Sequence, residues 1–207
     1  MNWLEFSNAI DSSRCVTSES SQGSVKRLFH GNGIVRDENS RNHMWYPYGV
    51  ENEADVNGYR YVDMNFSYCG RESMLLSEAS CCMIVVAVDY ESQVRFGAHI
   101  SAATDTKRLR WISVKADFQL FFKQAEFDFD RIKLFIFSEN ALRGSTGAFE
   151  QRNVMNMLNH VLSDQQQKSL ARSTHLIQGE KGINWNPYCA VRLSNDVLQK
   201  LEISLAA

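Results

Sequence analysis

The stretch CCMIVVAVDYESQVRFGAHIS, residues 81–101, decides the fold class because it has the pattern of two strands joined by a turn. Its first part, CCMIVVAV, is a continuous apolar run rich in β-branched residues, which is typical of a strand buried on both faces. The polar segment Asp89-Tyr90-Glu91-Ser92 has the composition of a turn, and QVRFGAHIS follows as a returning strand. The stretch therefore predicts an antiparallel β-hairpin.

This hairpin brings a thiol close to an imidazole. A two-residue turn at Tyr90-Glu91 would place Cys82 directly opposite His99, with their Cβ atoms about 4.5 to 5.5 Å apart. In that register Cys81 points to the other face of the sheet. The sequence therefore predicts that Cys82, and not Cys81, is the partner of His99.

A cysteine next to a histidine has two interpretations. An imidazolium stabilises a thiolate, and a thiolate attacks the carbonyl carbon of amides and thioesters. Cysteine is also among the residues most often buried, and a single histidine on a strand is commonly a packed core residue. On the residues alone packing is the simpler interpretation. In a catalytic site a third polar group would orient the histidine, and the candidates are Ser77, Ser80, Thr104 and Asn153.

The remaining pattern predicts an α+β domain. Helical periodicity in WISVKADFQLFFKQAEF (residues 111–127) places apolar side chains on one face, and RNVMNMLNHVL (residues 152–162) has a similar stripe. Strands are predicted at residues 59–68, 131–140, 174–179 and 188–193, and a short helix at residues 194–203. Residues 1–57 are rich in Ser, Asn and charge, which predicts a polar N-terminal extension before a folded domain at residues 58–207.

Composition excludes several classes of function. The 207-residue chain has a net charge of −2 and a pI near 6.2, so we expect no nucleic-acid partner. Five cysteines without a CxxC pair suit reduced thiols, and neither a metal nor another cofactor is expected. Without a basic N-terminal leader or an apolar run of about 18 residues, the sequence predicts a cytoplasmic protein that does not insert into membranes.

Several landmarks in the chain occur in the order found in one enzyme family. SCCMIVVAVDYESQVRFGAHIS resembles the active-site hairpin of the chemoreceptor glutamine deamidase (CheD) family, in which a Ser-Cys pair begins an apolar strand and a later Gly-containing segment holds the catalytic histidine. WISVKADFQLFFKQA, RIKLFIFSENALRGSTGAFEQRNV and IQGEKGINW are similar to the segments that follow in that family. The resemblance covers roughly residues 60–192. It implies two packed mixed β-sheets flanked by helices, an α/β/β/α arrangement.

The resemblance also implies an activity and a set of site residues. The activity is hydrolysis of a glutamine side chain of a target protein, such as a chemoreceptor, to glutamate and ammonia, with Cys82 as the nucleophile and His99 as its base. The family has a threonine where this chain has Leu76, so Ser77 is expected to replace it. The residues expected to support the site or its oxyanion are Ser80, Cys81, Gly97, Arg152 and Asn153.

Two other functions remain open at this point. One is a catalytically weak or inactive module that keeps the fold and binds a signalling protein, which the absent threonine favours. The other is different acyl chemistry at the same pair, such as transglutamination or peptide cleavage.

Overall fold

A computed structural model describes residues 1–17, 59–62, 65–76, 82–101, 109–138, 148–178 and 191–193. These residues form an α+β structure, which confirms the predicted fold class. Its helices are α1 (Trp3–Asn8), α2 (Leu109–Gln124), α3 (Ala148–Val161) and α4 (Asp164–Ala171). Its strands are β1 (Cys15–Thr17), β2 (Tyr59–Val62), β3 (Ser67–Gly70), β4 (Ser73–Leu76), β5 (Cys82–Asp89), β6 (Arg95–Ser101), β7 (Ile132–Ser138), β8 (Thr174–Gln178) and β9 (Val191–Leu193).

The strands form two sheets. The main sheet has six strands in the order β1-β8-β7-β5-β6-β3, with parallel pairing of β1 to β8 and of β8 to β7 and antiparallel pairing elsewhere. The second sheet has the order β2-β4-β9, and its strands β2 and β4 contact β6. The predicted hairpin is confirmed as β5 and β6, and it lies inside the main sheet between β7 and β3.

The turn of this hairpin is longer than predicted. Asp89 N–H donates to the Val94 carbonyl at 2.9 Å, so Tyr90–Gln93 form a four-residue turn and the predicted two-residue turn is wrong. Two-residue hairpin turns need positive φ at their central residues, which Tyr90 and Glu91 do not favour. Here Gln93 has the positive φ, at 62°.

The Asp89 carboxylate holds the turn together. Its Oδ1 accepts hydrogen bonds from the N–H groups of Glu91 at 3.0 Å and Ser92 at 3.4 Å, while its Oδ2 accepts from Ser92 Oγ at 2.8 Å. Arg131, just before β7, donates to the same Oδ2 at 3.1 Å. A fully buried carboxylate needs such partners because burial of an unpaired charge is costly.

The helices cover one face of the main sheet. Phe96 on β6 lies 4.9 Å, between ring centroids, from Phe118 on α2, and Phe118 lies 4.9 Å from Phe122 one turn later. Both contacts have the edge-to-face geometry that aromatic rings prefer. The apolar face predicted for α2 is confirmed, because these residues are all buried: Val114, Phe118, Phe121, Phe122 and Ala125.

Residues 1–17, predicted as part of a polar N-terminal extension, belong to this same core. Helix α1 begins with a capping box formed by Asn2 and Glu5, and it buries Phe6 completely. Strand β1 then pairs along β8, and Arg14 lies 3.0 Å from Nε2 of the buried His175. The segment that follows residue 17 is rich in serine, so the average composition of residues 1–57 is polar and does not indicate this short helix and strand.

Other elements differ from the sequence pattern in detail. The single strand predicted at residues 59–68 is interrupted, and β2 and β3 belong to different sheets. Helix α4 was not predicted because it has few apolar residues, although Ser163 and Gln166 form a capping box at its start. The helix predicted at residues 194–203 lies outside the described residues. Among the helices of the described chain, none has the length and apolar character needed to cross a membrane.

Replacement of Asp89 tests its role in the turn. We expect Asp89→Ala to lower the free energy of unfolding by about 2 to 4 kcal/mol, because the N–H groups of Glu91 and Ser92 and the Arg131 guanidinium lose a fully buried acceptor. Glu91→Ala is the matched control, since Glu91 also pairs with Arg131 but is exposed, and its loss should cost less than about 1 kcal/mol. Urea unfolding measures both, and equal losses would contradict this role of Asp89.

Candidate functional site

Cys82 and His99 lie on the face of the main sheet that points away from the helices. Alternation along β5 directs Met83, Val85 and Ala87 into the helix-covered core, so Cys82 and the other alternate residues point to the opposite face. Every residue of β5 and β6 is buried, which means that both faces of the hairpin are covered.

The register does not place Cys82 opposite His99. Cys82 pairs with Ser101 and His99 pairs with Ile84, so the predicted direct pairing is wrong. The four-residue turn is two residues longer than predicted, and it shifts the register by two. Because the side-chain period of a strand is two, Cys82 and His99 still lie on the same face. They are diagonal neighbours, about 7 to 8 Å apart at Cα, which is within reach of a long side chain such as histidine.

Cys82 and Ser101 form the close kind of cross-strand pair. Asp89 and Val94 are joined by a backbone hydrogen bond, and hydrogen-bonded and non-hydrogen-bonded pairs alternate along an antiparallel ladder. Counting along the register from that pair makes Cys82 and Ser101 a non-hydrogen-bonded pair. Their Cα atoms are therefore expected about 4.5 Å apart, with adjacent side chains.

A bulge in the neighbouring strand lies beside His99. The His99 carbonyl accepts from Asn65 N–H at 2.8 Å, whereas His99 N–H donates to the Phe66 carbonyl at 3.2 Å. Asn65 and Phe66 thus both lie opposite His99, which is the arrangement of a β-bulge. Asn65 has a left-handed φ of 66°, as the first residue of such a bulge often does. The bulge turns the Asn65 side chain towards the end of β6.

Ser101 is the centre of a polar cluster at that end. Its Oγ donates to Asn65 Oδ1 at 2.8 Å, and its main-chain carbonyl accepts from Asn153 Nδ2 at 3.1 Å. Asn153 is buried on α3, so this second bond connects the helix layer to the last residue of β6. Asn153, which the sequence suggests as a supporting residue, thus contacts the backbone two residues from His99.

The other predicted site residues are divided between different places. Gly97 lies on the same face as His99, opposite Val86 on β5 and Tyr68 on β3. Arg152 is exposed, its guanidinium lies 5.3 Å from the centre of the Phe149 ring, and it lines a surface groove with Met1 and Trp3. These contacts of Arg152 do not include Cys82 or His99. Ser77, Ser80 and Cys81 lie outside the described residues.

Asn65 and Ser101 were not among the predicted site residues. Ser101 appears opposite Cys82 only in the register set by a four-residue turn, so an error in turn length removed it from consideration. For Asn65 there was one signal, because a strand pattern that contains asparagine, a residue tolerant of positive φ, suggests an irregularity. Both residues sit at the irregular ends of strands, where periodicity is least informative.

Cys82 and His99 are both buried, which limits the access of a substrate to them. The exposed fraction is 3% for Cys82 and 2% for His99. A thiol, an imidazole and a hydroxyl grouped on one buried face have the composition of a nucleophile, its base and an orienting group. The same low exposure is ordinary for packed cysteine and histidine in a core.

Cys69 provides a contrasting thiol on the helix-covered side of the sheet. Its Sγ lies 3.7 Å from Oε1 of Gln124 on α2. Burial raises the pKa of Cys69 to about 12, and the nearby Asp117 carboxylate adds to this effect. Burial also raises the pKa of Cys15, with a smaller contribution from Asp11. These environments favour the neutral thiol, which is a poor nucleophile.

In the part of the chain that the structure describes, no group of three or more His, Cys, Asp and Glu side chains is arranged to hold a metal ion. Comparison with protein-family models gives no matching family, and comparison with curated proteins gives no match.

The Cys69 environment predicts slow alkylation. At pH 7.5 iodoacetamide should label Cys69 much more slowly in the folded protein than in urea, since the pKa rises from 9.0 to about 12 and the thiolate fraction falls about a thousandfold. Asp117→Asn should speed labelling in the folded protein because it removes a charge that disfavours the thiolate. Peptide mass spectrometry measures the rates, and equal rates in folded and unfolded protein would refute this assignment.

Proposed function

We propose that this protein is a cysteine-dependent amidohydrolase that converts glutamine side chains of a target protein to glutamate. The observation that supports this most is the placement of Cys82 and His99 on one face of a single hairpin as diagonal neighbours. Their spacing in sequence and the order of the following segments resemble the chemoreceptor glutamine deamidases. A chemoreceptor-like protein is therefore the proposed substrate class.

The proposed reaction needs only the cysteine, the histidine and water. The Cys82 thiolate attacks the carboxamide carbon, and the C–N bond breaks as His99 gives a proton to the leaving ammonia. A water molecule then attacks the thioester while His99 accepts its proton. Glutamate is released and Cys82 regains its thiol, so no cofactor or metal is required.

The architecture agrees with this proposal at a coarse level. The mixed main sheet has helices on one face, and β2 and β4 of the second sheet contact β6, which holds His99. The proposed finer arrangement is two packed sheets between helical layers. Cys15, Cys69 and Cys82 are free thiols, as a reducing compartment such as the cytoplasm would keep them.

A second candidate function is a binding module without catalysis. The low exposure of Cys82 and His99 favours it, because a nucleophile has to meet its substrate. In this case the two residues pack the sheet, and another surface of the domain binds a signalling protein. Other acyl chemistry at the same pair would differ from deamidation only in its products.

Substitution of the pair tests the proposal. Cys82→Ser and His99→Gln should each abolish ammonia release from glutamine-containing protein substrates, including cytoplasmic segments of chemoreceptors, because either change removes the thiolate-forming pair. Cys69→Ser is the matched control and should keep full activity. Ammonia assays and the mass change of amide-to-acid conversion provide the measurement.

Unchanged ammonia release by Cys82→Ser would rule out this nucleophile. Complete inactivity of the wild-type protein, together with Cys82 labelling as slow as that of Cys69, would support the binding module instead.

A further inference from the structure

A surface groove lies between α3 and the segment that includes α1. Its volume is about 380 Å³, within the range of about 300 to 1,000 Å³ that is typical of binding pockets. Met1, Trp3 and Met155 provide its apolar surface. Met155 is buried and the other two are half-buried, so packing against the domain core fixes these side chains.

The solvent face of α3 borders this groove. Phe149, Arg152, Asn156 and Asn159 recur at intervals of three or four residues, so they form one stripe along the helix, and all four are exposed. The Arg152 guanidinium lies 5.3 Å from the centre of the Phe149 ring, which is within the distance of a cation–π contact. This contact holds the guanidinium in place but occupies none of its N–H donors.

The available polar groups of the groove are mainly hydrogen-bond donors. Asn2 Oδ1 accepts from Glu5 N–H at 2.9 Å, and Asn156 Oδ1 accepts from Trp111 Nε1 at 3.2 Å. Within the described ranges, the side-chain N–H groups of these two asparagines make no hydrogen bond, and no carboxylate pairs with Arg152. The groove therefore suits a ligand that presents acceptors.

The charge of the groove favours a carboxylate. Among the described residues that line it, the one charged side chain is that of Arg152. Two nearby carboxylates are already bonded, because Glu5 accepts from the Asn2 N–H at 2.9 Å and Asp164 accepts from the Met1 amino group at 2.8 Å. A guanidinium matches a single carboxylate through two parallel hydrogen bonds, whereas a phosphate polymer would need several cations.

The length of the stripe favours an extended peptide over a small molecule. Phe149 and Asn159 are separated by about 15 Å along the helix axis, at a rise of about 1.5 Å per residue. An extended peptide rises about 3.3 Å per residue, so about four or five of its residues cover this distance. The Phe149 ring is 61% exposed and adds apolar surface at one end of the stripe.

We propose that this groove binds an acidic segment of a partner protein. One aspartate or glutamate carboxylate of the segment bonds to the Arg152 guanidinium, and a neighbouring apolar side chain packs between Trp3 and Met155. Neither Cys82 nor His99 lines the groove. This inference therefore goes beyond the proposed amidohydrolase activity and holds whether or not the protein is a catalyst.

The test is binding of the purified protein to an array of random decapeptides. We expect the bound peptides to be enriched in aspartate or glutamate next to aliphatic or aromatic residues. Arg152→Gln should weaken the binding of these peptides about tenfold, which is the effect of losing one charge-assisted hydrogen bond. Fluorescence anisotropy of the labelled peptides measures the dissociation constants.

Matched variants separate the groove from the overall charge of the protein. Arg71→Gln makes the same charge change at an exposed arginine that follows β3, and it should leave binding unchanged. Arg152→Glu should reverse the preference, so that peptides containing lysine or arginine are selected. Phe149→Ala should weaken binding several-fold because it removes apolar surface next to the guanidinium. Urea unfolding shows whether each variant keeps the stability of the wild type.

The outcomes separate this inference from the proposed function. Equal affinity of the wild type and Arg152→Gln for acidic peptides would overturn it, as would an array without enrichment of acidic peptides. Self-association that depends on concentration and disappears in Arg152→Gln would assign the groove to a second copy of the chain and would also overturn it. Cys82→Ser should bind the peptides as the wild type does, so peptide binding without ammonia release would contradict the proposed function alone.

Discussion

The Asp89 carboxylate is the constraint on which the arrangement of the hairpin depends. It binds the N–H groups of its own turn and pairs with Arg131 at the start of the next strand, so it fixes both the turn length and the neighbouring pairing. Turn length sets register, and register determines which residue lies opposite Cys82. The Asp89 carboxylate at the closed end of the hairpin thus determines which side chain lies next to Cys82 at the open end.

Much of the fold follows from apolar periodicity. The strands of the hairpin, β7 and helix α2 have long patterns that agree with their burial, since every residue of β5 is buried and the predicted face of α2 packs on Phe96. Such segments are predictable because their apolar pattern along the sequence agrees with their burial in the folded domain. Short helices, such as α1 and α4, have too few residues to show a periodic apolar pattern, and they are recognised only through their capping residues.

The candidate site was predictable only in part, for a physical reason. Side chains along a strand alternate between the two faces, so a register shift of two residues leaves each side chain on its original face. Cys82 and His99 can therefore be assigned to one face without knowledge of the exact turn length. Identifying Ser101 as the neighbour of Cys82 requires the turn length, which depends on the side chain of Asp89 and on positive φ at Gln93. Asn65 and Asn153 reach Ser101 from distant parts of the chain, so no local pattern contains them.

The position of these residues along their strands has a further consequence. Cys82 is the first residue of β5 and Ser101 is the last of β6, so both stand at the same rim of the main sheet. Both residues are nearly fully buried at this rim, with exposed fractions of 3% for Cys82 and 4% for Ser101, so a molecule could reach the Cys82 thiol only if neighbouring groups moved.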